Sequence, residues 1–143
     1  MEPAIARFET SVRPVPAEQM ATRIAAVKAD GLPWLVAEQC GVILGFAYAS
    51  KWRERSAYRY SVETTVYVAP GSEGRGFASA LYSALFERLA EVGVHAVMAG
   101  IALPNARSVA LHEKFGMSQV AHFREVGFKF GQWIDVGYWE GLV

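Results

Sequence analysis

Residues 60–92, YSVETTVYVAPGSEGRGFASALYSALFERLAEV, place a strand, a glycine loop and a helix in immediate succession, and that order sets the fold class. Tyr60–Val68 is rich in β-branched and aromatic residues and is the clearest strand in the chain. Pro70-Gly71-Ser72-Glu73-Gly74-Arg75-Gly76 then breaks the pattern. From Phe77 to Val92 the apolar residues Phe77, Leu81, Leu85 and Leu89 recur every fourth position, a continuous helical stripe that Gly93 ends. Backbone N–H groups and the helix dipole favour an anion at such a helix start. Gly74, Gly76 and the small Ala78 would let a pyrophosphate reach the backbone. Alone, a loop of this kind is more often a plain turn than a phosphate site. It lacks the closing Gly-Lys-Ser/Thr of a nucleotide P-loop, and no early βαβ unit carries a dinucleotide fingerprint.

Outward from this stretch the pattern keeps alternating. Pro14 and Pro16 lead into a helix over Ala17–Asp30, with Met20, Ile24 and Val27 at helical spacing and Gly31 as its stop. Trp34–Ala37 and Val42–Ala49 read as two strands joined near Gln39-Cys40-Gly41. A polar and aromatic loop, Lys51–Arg59, precedes the clear strand. After the long helix, His95–Ala102 is apolar enough to be a central strand buried on both faces. Pro104-Asn105 opens a short helix to Phe115, stopped by Gly116. Strands over Ser118–Phe130 and Trp133–Trp139 meet at Gly131-Gln132, read as a hairpin turn of the glycine-first type. The order is that of an α/β domain around a mixed sheet, one domain over residues 1–143.

Composition narrows the function. With 143 residues, 52% of them hydrophobic, the chain can bury a core. Fourteen basic residues balance fourteen acidic ones, which excludes a whole-molecule field for nucleic acid or anionic membrane; a bound anion needs a local site. The single cysteine, Cys40, excludes an internal disulfide and reads as a small core hydrophobe. No apolar run reaches bilayer length and the first residues are not a signal peptide, so a cytoplasmic protein is expected. His95 and His122 lack metal-ligand spacing, and no metal is expected.

Several polar residues carry two readings. Glu63 lies mid-strand on one face with Thr65 and Tyr67, either as a solvated edge carboxylate or as one kept for chemistry. His112, on the short helix, is by itself a surface or core-edge histidine, although imidazole titrates near neutrality. Asn105 is a good helix N-cap. Lys51–Tyr60, with Arg53, Arg55 and Arg59 among Trp52, Tyr58 and Tyr60, is a solvated turn or a local anion receptor.

Taken together the motifs resemble the GNAT family of N-acetyltransferases. Glu73-Gly74-Arg75-Gly76-Phe77-Ala78 is similar to its coenzyme A pyrophosphate loop, with Glu73 where the family prefers a cation or amide. The stretches Val62–Val68, Leu103–Glu113 and Val126–Val136 stand in the order and spacing of the phosphinothricin and methionine sulfoximine N-acetyltransferase subgroup. The resemblance runs from Phe8 onward. It implies a mixed, mostly antiparallel sheet flanked by helices, with acetyl-CoA as co-substrate and a small amino-acid-like amine as acceptor. Glu63 is implied as general base and His112 as general acid. Coenzyme A contacts fall to Val66, Tyr67, Val68, Gly74, Arg75, Gly76, Phe77, Ala78, Ser79, Asn105 and Ser108, and acceptor contacts to Trp52, Arg53, Arg55, Tyr58, Thr65 and Lys129. Lys129, Trp133 and Asp135 complete or support that pocket, with core packing the better reading of Trp133. A homodimer is implied too. Members begin with one more strand and helix before the segment like Ile5–Thr10, so the chain is expected to lack them. Two other readings stay open: a non-catalytic acyl-CoA-binding module and a protein N-terminal acetyltransferase.

Overall fold

The computed structural model describes residues 17–143. Helix α1 (Ala17–Ala29) leads to the hairpin β1 (Trp34–Gln39) and β2 (Val42–Lys51), followed by a loop with one 3₁₀ turn at Ser56–Tyr58. Then come β3 (Ser61–Val68), α2 (Phe77–Glu91), β4 (Ala96–Leu103), α3 (Ala106–Lys114), β5 (Ser118–Lys129) and β6 (Gln132–Leu142). The expected approach through Pro14 and Pro16, the segment Ile5–Thr10 and anything before it lie outside the described residues.

The strands form one sheet in the order β1-β2-β3-β4-β6-β5. All neighbours are antiparallel except β3 and β4, which run parallel. This is the mixed, mostly antiparallel sheet that the sequence led us to expect. The apolar β4 is central, because a strand reached through α2 must cross over to pair in parallel.

One sheet face is sealed by α2. Leu81, Leu85 and Leu89 pack on Ala47, Ala49, Val62, Val97, Ala99, Ile101 and Trp139. Each fully buried leucine contributes about 1.5–3 kcal/mol, so these three leucines are what pin α2 to the sheet. On the other face Met20 of α1 packs against Phe46 and Tyr67, and Trp34 stacks on Tyr48 at 4.0 Å.

The parallel pairing of β3 with β4 is brief. It holds for Ser61↔Ala96, Val62↔Val97 and Glu63↔Met98, after which both strands continue without pairing to each other. The sheet therefore forks at Glu63, with the main chain of Thr64–Val68 along one side of the opening.

Two turns differ from expectation. Gln39 pairs with Val42, so Cys40 and Gly41 are the central turn residues, both at positive φ (53° and 78°). Cys40 is exposed there rather than a core hydrophobe, because a two-residue loop leaves its side chain nothing to bury against. Lys129 pairs with Gln132, so the second turn is centred on Phe130 and Gly131 (φ 52° and 74°). It is one residue earlier than read, and has two left-handed residues instead of a glycine-first pair.

Candidate active site

Side chains alternate along β3, and the alternation divides the site between two faces. Val62 and Thr64 point toward α2; Glu63 and Thr65 point away. Glu63 stands at the fork, half-buried. Burial raises its pKa, while the nearby Arg53 guanidinium and a hydrogen bond donated by the Tyr138 hydroxyl pull it back. A carboxylate so placed keeps a proton affinity above the usual carboxylate range, as a general base requires.

Of the loop residues expected to hold an acceptor, Arg53 stands beside Glu63. Arg53 donates from Nη1 to the Trp52 carbonyl at 2.7 Å, and its guanidinium carbon lies 4.0 Å from the Trp52 ring centre. The Trp52 ring meets Tyr138 edge-on at 5.7 Å. Arg53, Glu54, Arg55 and Tyr58 line a concavity of about 400 Å³. Thr65 shares the face of Glu63, opposite Tyr48. Lys129 is not brought to this group. It is buried beside the β5–β6 turn with its ammonium 5.6 Å from the Phe130 ring, and its partner Gln132 lies six positions along β6 from Tyr138, roughly 20 Å of strand. Trp133 is 64% exposed, not core.

Beneath the fork, on the helix face, runs a buried polar chain. Thr64 Oγ1 lies 3.0 Å from Tyr82 Oη, which lies 2.7 Å from His112 Nε2. His112 Nδ1 is 2.7 Å from the Ser108 carbonyl oxygen. That carbonyl can only accept, so Nδ1 carries the proton, Nε2 accepts from Tyr82, and Thr64 donates to Tyr82. His112 is 3% exposed, and burial lowers its pKa, an effect that the Ser108 carbonyl partly opposes. In this arrangement Nδ1 of His112 is bonded to a main-chain carbonyl and Nε2 to the Tyr82 hydroxyl.

The glycine loop is open for a ligand. Gly74 and Gly76 sit at φ 77° and 86°, and a Cβ added to either would meet nothing within 4 Å. Gly76 caps α2 without a side-chain hydrogen bond, leaving the first-turn N–H groups of the helix to a ligand or water. Glu73, the residue out of place for an anion site, turns its carboxylate back to accept the Gly71 N–H at 2.8 Å. Arg75 lies over Phe77 at 5.1 Å and donates to Gln39 Oε1 at 2.9 Å. Ala78 follows in the first turn, where Ser79 Oγ accepts from Lys114 at 3.0 Å. Along the fork, Val66, Tyr67 and Val68 are the last residues of β3; the Tyr67 ring is buried against Phe46 at 5.3 Å. At the start of α3 Asn105 Oδ1 accepts the Ser108 N–H at 3.2 Å, an N-cap. These features fit a coenzyme A arm with its pyrophosphate on the loop.

Tyr138 escaped the sequence reading, since its relation to Glu63 passes through the pairing of strands distant in sequence. So did a bulge in β5. Phe123 pairs with Val136 and Gly127 with Ile134, so residues 124–126 lie opposite Asp135 alone. Asp135 accepts from His122 Nε2 at 2.7 Å and from the Glu125 N–H at 2.8 Å, which holds Glu125 at φ 53°. The bulge lines an open groove of about 740 Å³ that starts at Phe123, whose ring meets Tyr138 edge-on at 6.1 Å.

Comparison with known proteins follows the same lines. The model of the acetyltransferase (GNAT) family matches residues 4–117. A phosphinothricin N-acetyltransferase of Streptomyces coelicolor is 53% identical over 98 residues, 68% of this chain and 57% of that protein. An L-methionine sulfoximine/L-methionine sulfone acetyltransferase of Salmonella typhimurium is 40% identical over 108 residues, 76% of this chain and 63% of that protein. The chain thus spans about three-fifths of these curated relatives. Among solved structures, yncA from Salmonella typhimurium with its cofactor acetyl-CoA superposes with TM-score 0.92 at 33% identity, covering 97% of this chain and 82% of that one. A ribosomal-protein-alanine N-acetyltransferase from Brucella melitensis gives 0.92 at 32% identity, with coverage of 99% and 89%.

Proposed function

Because the chain belongs to the acetyltransferase (GNAT) family, we propose that it is an N-acetyltransferase carrying acetyl from acetyl-CoA to the amine of a small amino-acid-like acceptor, of the phosphinothricin, methionine sulfoximine or methionine sulfone type. The observation that carries this reading is the Glu63 carboxylate at the fork of β3 and β4, with Arg53 beside it. Bound acetyl-CoA supplies the thioester. Gly74–Ser79 and the β3 main chain over Val66–Val68 hold it, with Asn105 and Ser108 near its arm. Glu63 takes the proton that the acceptor ammonium must lose before it can attack; the C–N bond then forms as the C–S bond breaks, and the departing coenzyme A thiolate takes up the proton that the new amide nitrogen sheds. Arg53, Arg55 and Tyr58 offer a carboxylate or phosphinyl group its charge partner, with Trp52 and Thr65 as walls. We assign His112 the task of fixing the Tyr82 hydroxyl beneath the fork, in place of the acid role.

We also propose a homodimer acting in the cytoplasm. The last β4–β6 pair is Leu103↔Asp135, so among the described residues no third strand flanks the hairpin tip beyond it. Val126, Phe128, Phe130 and Trp133 are exposed there. A two-stranded ribbon with an apolar surface is marginal alone, and a second copy supplies the cover. Lys129 then serves structure at this tip.

The acceptor class is tested by thiol release from acetyl-CoA with phosphinothricin, methionine sulfoximine, methionine sulfone, ordinary amino acids and an alanine-terminated peptide. Release with the small acceptors is expected. Release with the peptide alone favours the protein N-terminal class, and release with none favours a binding module.

A further inference from the structure

Tyr138 lies on β6, two strands away from Glu63, yet its hydroxyl reaches the carboxylate. The reach depends on the residue between them. Tyr138 pairs with Gly100 of β4, and a Cβ built on Gly100 would stand 3.0 Å from Tyr138 Cζ and 3.1 Å from Oη. The phenol ring therefore lies flat across the place where any other residue would carry a side chain. Trp52 at 5.7 Å and Phe123 at 6.1 Å meet the ring edge-on and hold it there. Its own pKa is raised, by burial first and then by the charge of Glu63, so the hydroxyl remains a donor through the neutral range.

We propose that Tyr138 is a positioning residue for the reaction: its hydroxyl, laid over Gly100, donates to the Glu63 carboxylate and aims that carboxylate into the fork. The inference rests on Glu63 being the base. The hydrogen bond does two things to it. It limits the carboxylate to the rotamer that faces the acceptor, and it favours the ionised form that can accept a proton. Together Trp52, Tyr138 and Phe123 make an aromatic wall from the cationic loop to the β5 groove.

Tyr138→Phe keeps the ring and the packing and removes only the donor. With acetyl-CoA and methionine sulfoximine, we expect kcat/KM at its pH optimum to fall about tenfold, the scale of one hydrogen bond to a charged group. The acidic limb of the profile should move to higher pH by about half a unit to one unit, because the carboxylate loses a partner of its charged form. The acceptor ammonium titrates alike in both proteins, so the difference belongs to the enzyme. KM for acetyl-CoA and Tm should stay near wild type. Glu63→Gln, assayed beside it, separates the two readings. If Glu63→Gln loses turnover while Tyr138→Phe keeps its acidic limb and stays within twofold, the positioning role is overturned and the base stands. If Glu63→Gln turns over normally, the base assignment falls and takes the Tyr138 role with it.

Discussion

Gly100 and Tyr138 face each other across β4 and β6, and the hydrogen side chain of the glycine makes room for the phenol ring. Gly100→Ala puts a methyl group 3.0–3.3 Å from two ring carbons and the hydroxyl oxygen of Tyr138, so the ring must shift. Overpacking of this kind costs about 1–3 kcal/mol. We expect a lowered Tm by thermal melting and a loss of kcat/KM at least as large as that of Tyr138→Phe, since both the ring and the hydroxyl move.

The Tyr82–His112 pair makes stability depend on pH. Burial holds the folded His112 pKa below its ordinary value of 6.5. The unfolded chain therefore binds a proton that the folded chain resists, and stability present above about pH 6.5 is lost as pH falls. Tm of the wild type should drop between pH 7 and 5, and His112→Gln should flatten that part of the curve. The variant should also be less stable at pH 8 by about 1–3 kcal/mol, having left Tyr82 and the Ser108 carbonyl poorly paired. Chemical denaturation across pH checks both.

At the loop, Gly76 combines a left-handed backbone with an open approach. Gly76→Ala strains the N-cap by about 1–2 kcal/mol and places a methyl group where the pyrophosphate is proposed to lie. KM for acetyl-CoA should rise about tenfold with kcat changed less, measured by saturation kinetics in acetyl-CoA. A Kd for coenzyme A equal to wild type would remove the loop from the cofactor site.

Phe128 and Trp133 pack on each other at 4.8 Å on the hairpin tip, and both are exposed. A charge at either face of a homodimer contact should split it. Trp133→Glu is expected to sediment as a monomer where the wild type sediments as a dimer. A monomeric wild type would contradict the assembly.

Much of this was legible in the sequence. The stripe Phe77, Leu81, Leu85 and Leu89 fixed α2, and the β-branched run fixed β3, because local periodicity and propensity carry those signals. The loop, the Asn105 cap and the face of Glu63 follow from short-range spacing. What escaped depends on pairing at long range. Tyr138 gains its meaning only from lying opposite Gly100. The bond between His112 Nε2 and Tyr82, thirty residues earlier, has no mark in the local spacing. The β5 bulge at 124–126 leaves no mark in the alternation, because its exposed residues are of mixed type. Trp133 misled for a related reason: the tip extends past the end of β4, so an aromatic residue that looked like core stays exposed among the described residues.

The most direct test of the account is turnover of Glu63→Gln with acetyl-CoA and methionine sulfoximine, read as thiol release, alongside the Kd for coenzyme A. A general base contributes about 10²–10⁴-fold, so turnover should fall by that factor while coenzyme A binds as tightly as before. Near-normal turnover, or an equal loss of coenzyme A binding, would contradict the placing of the chemistry at the fork of β3 and β4.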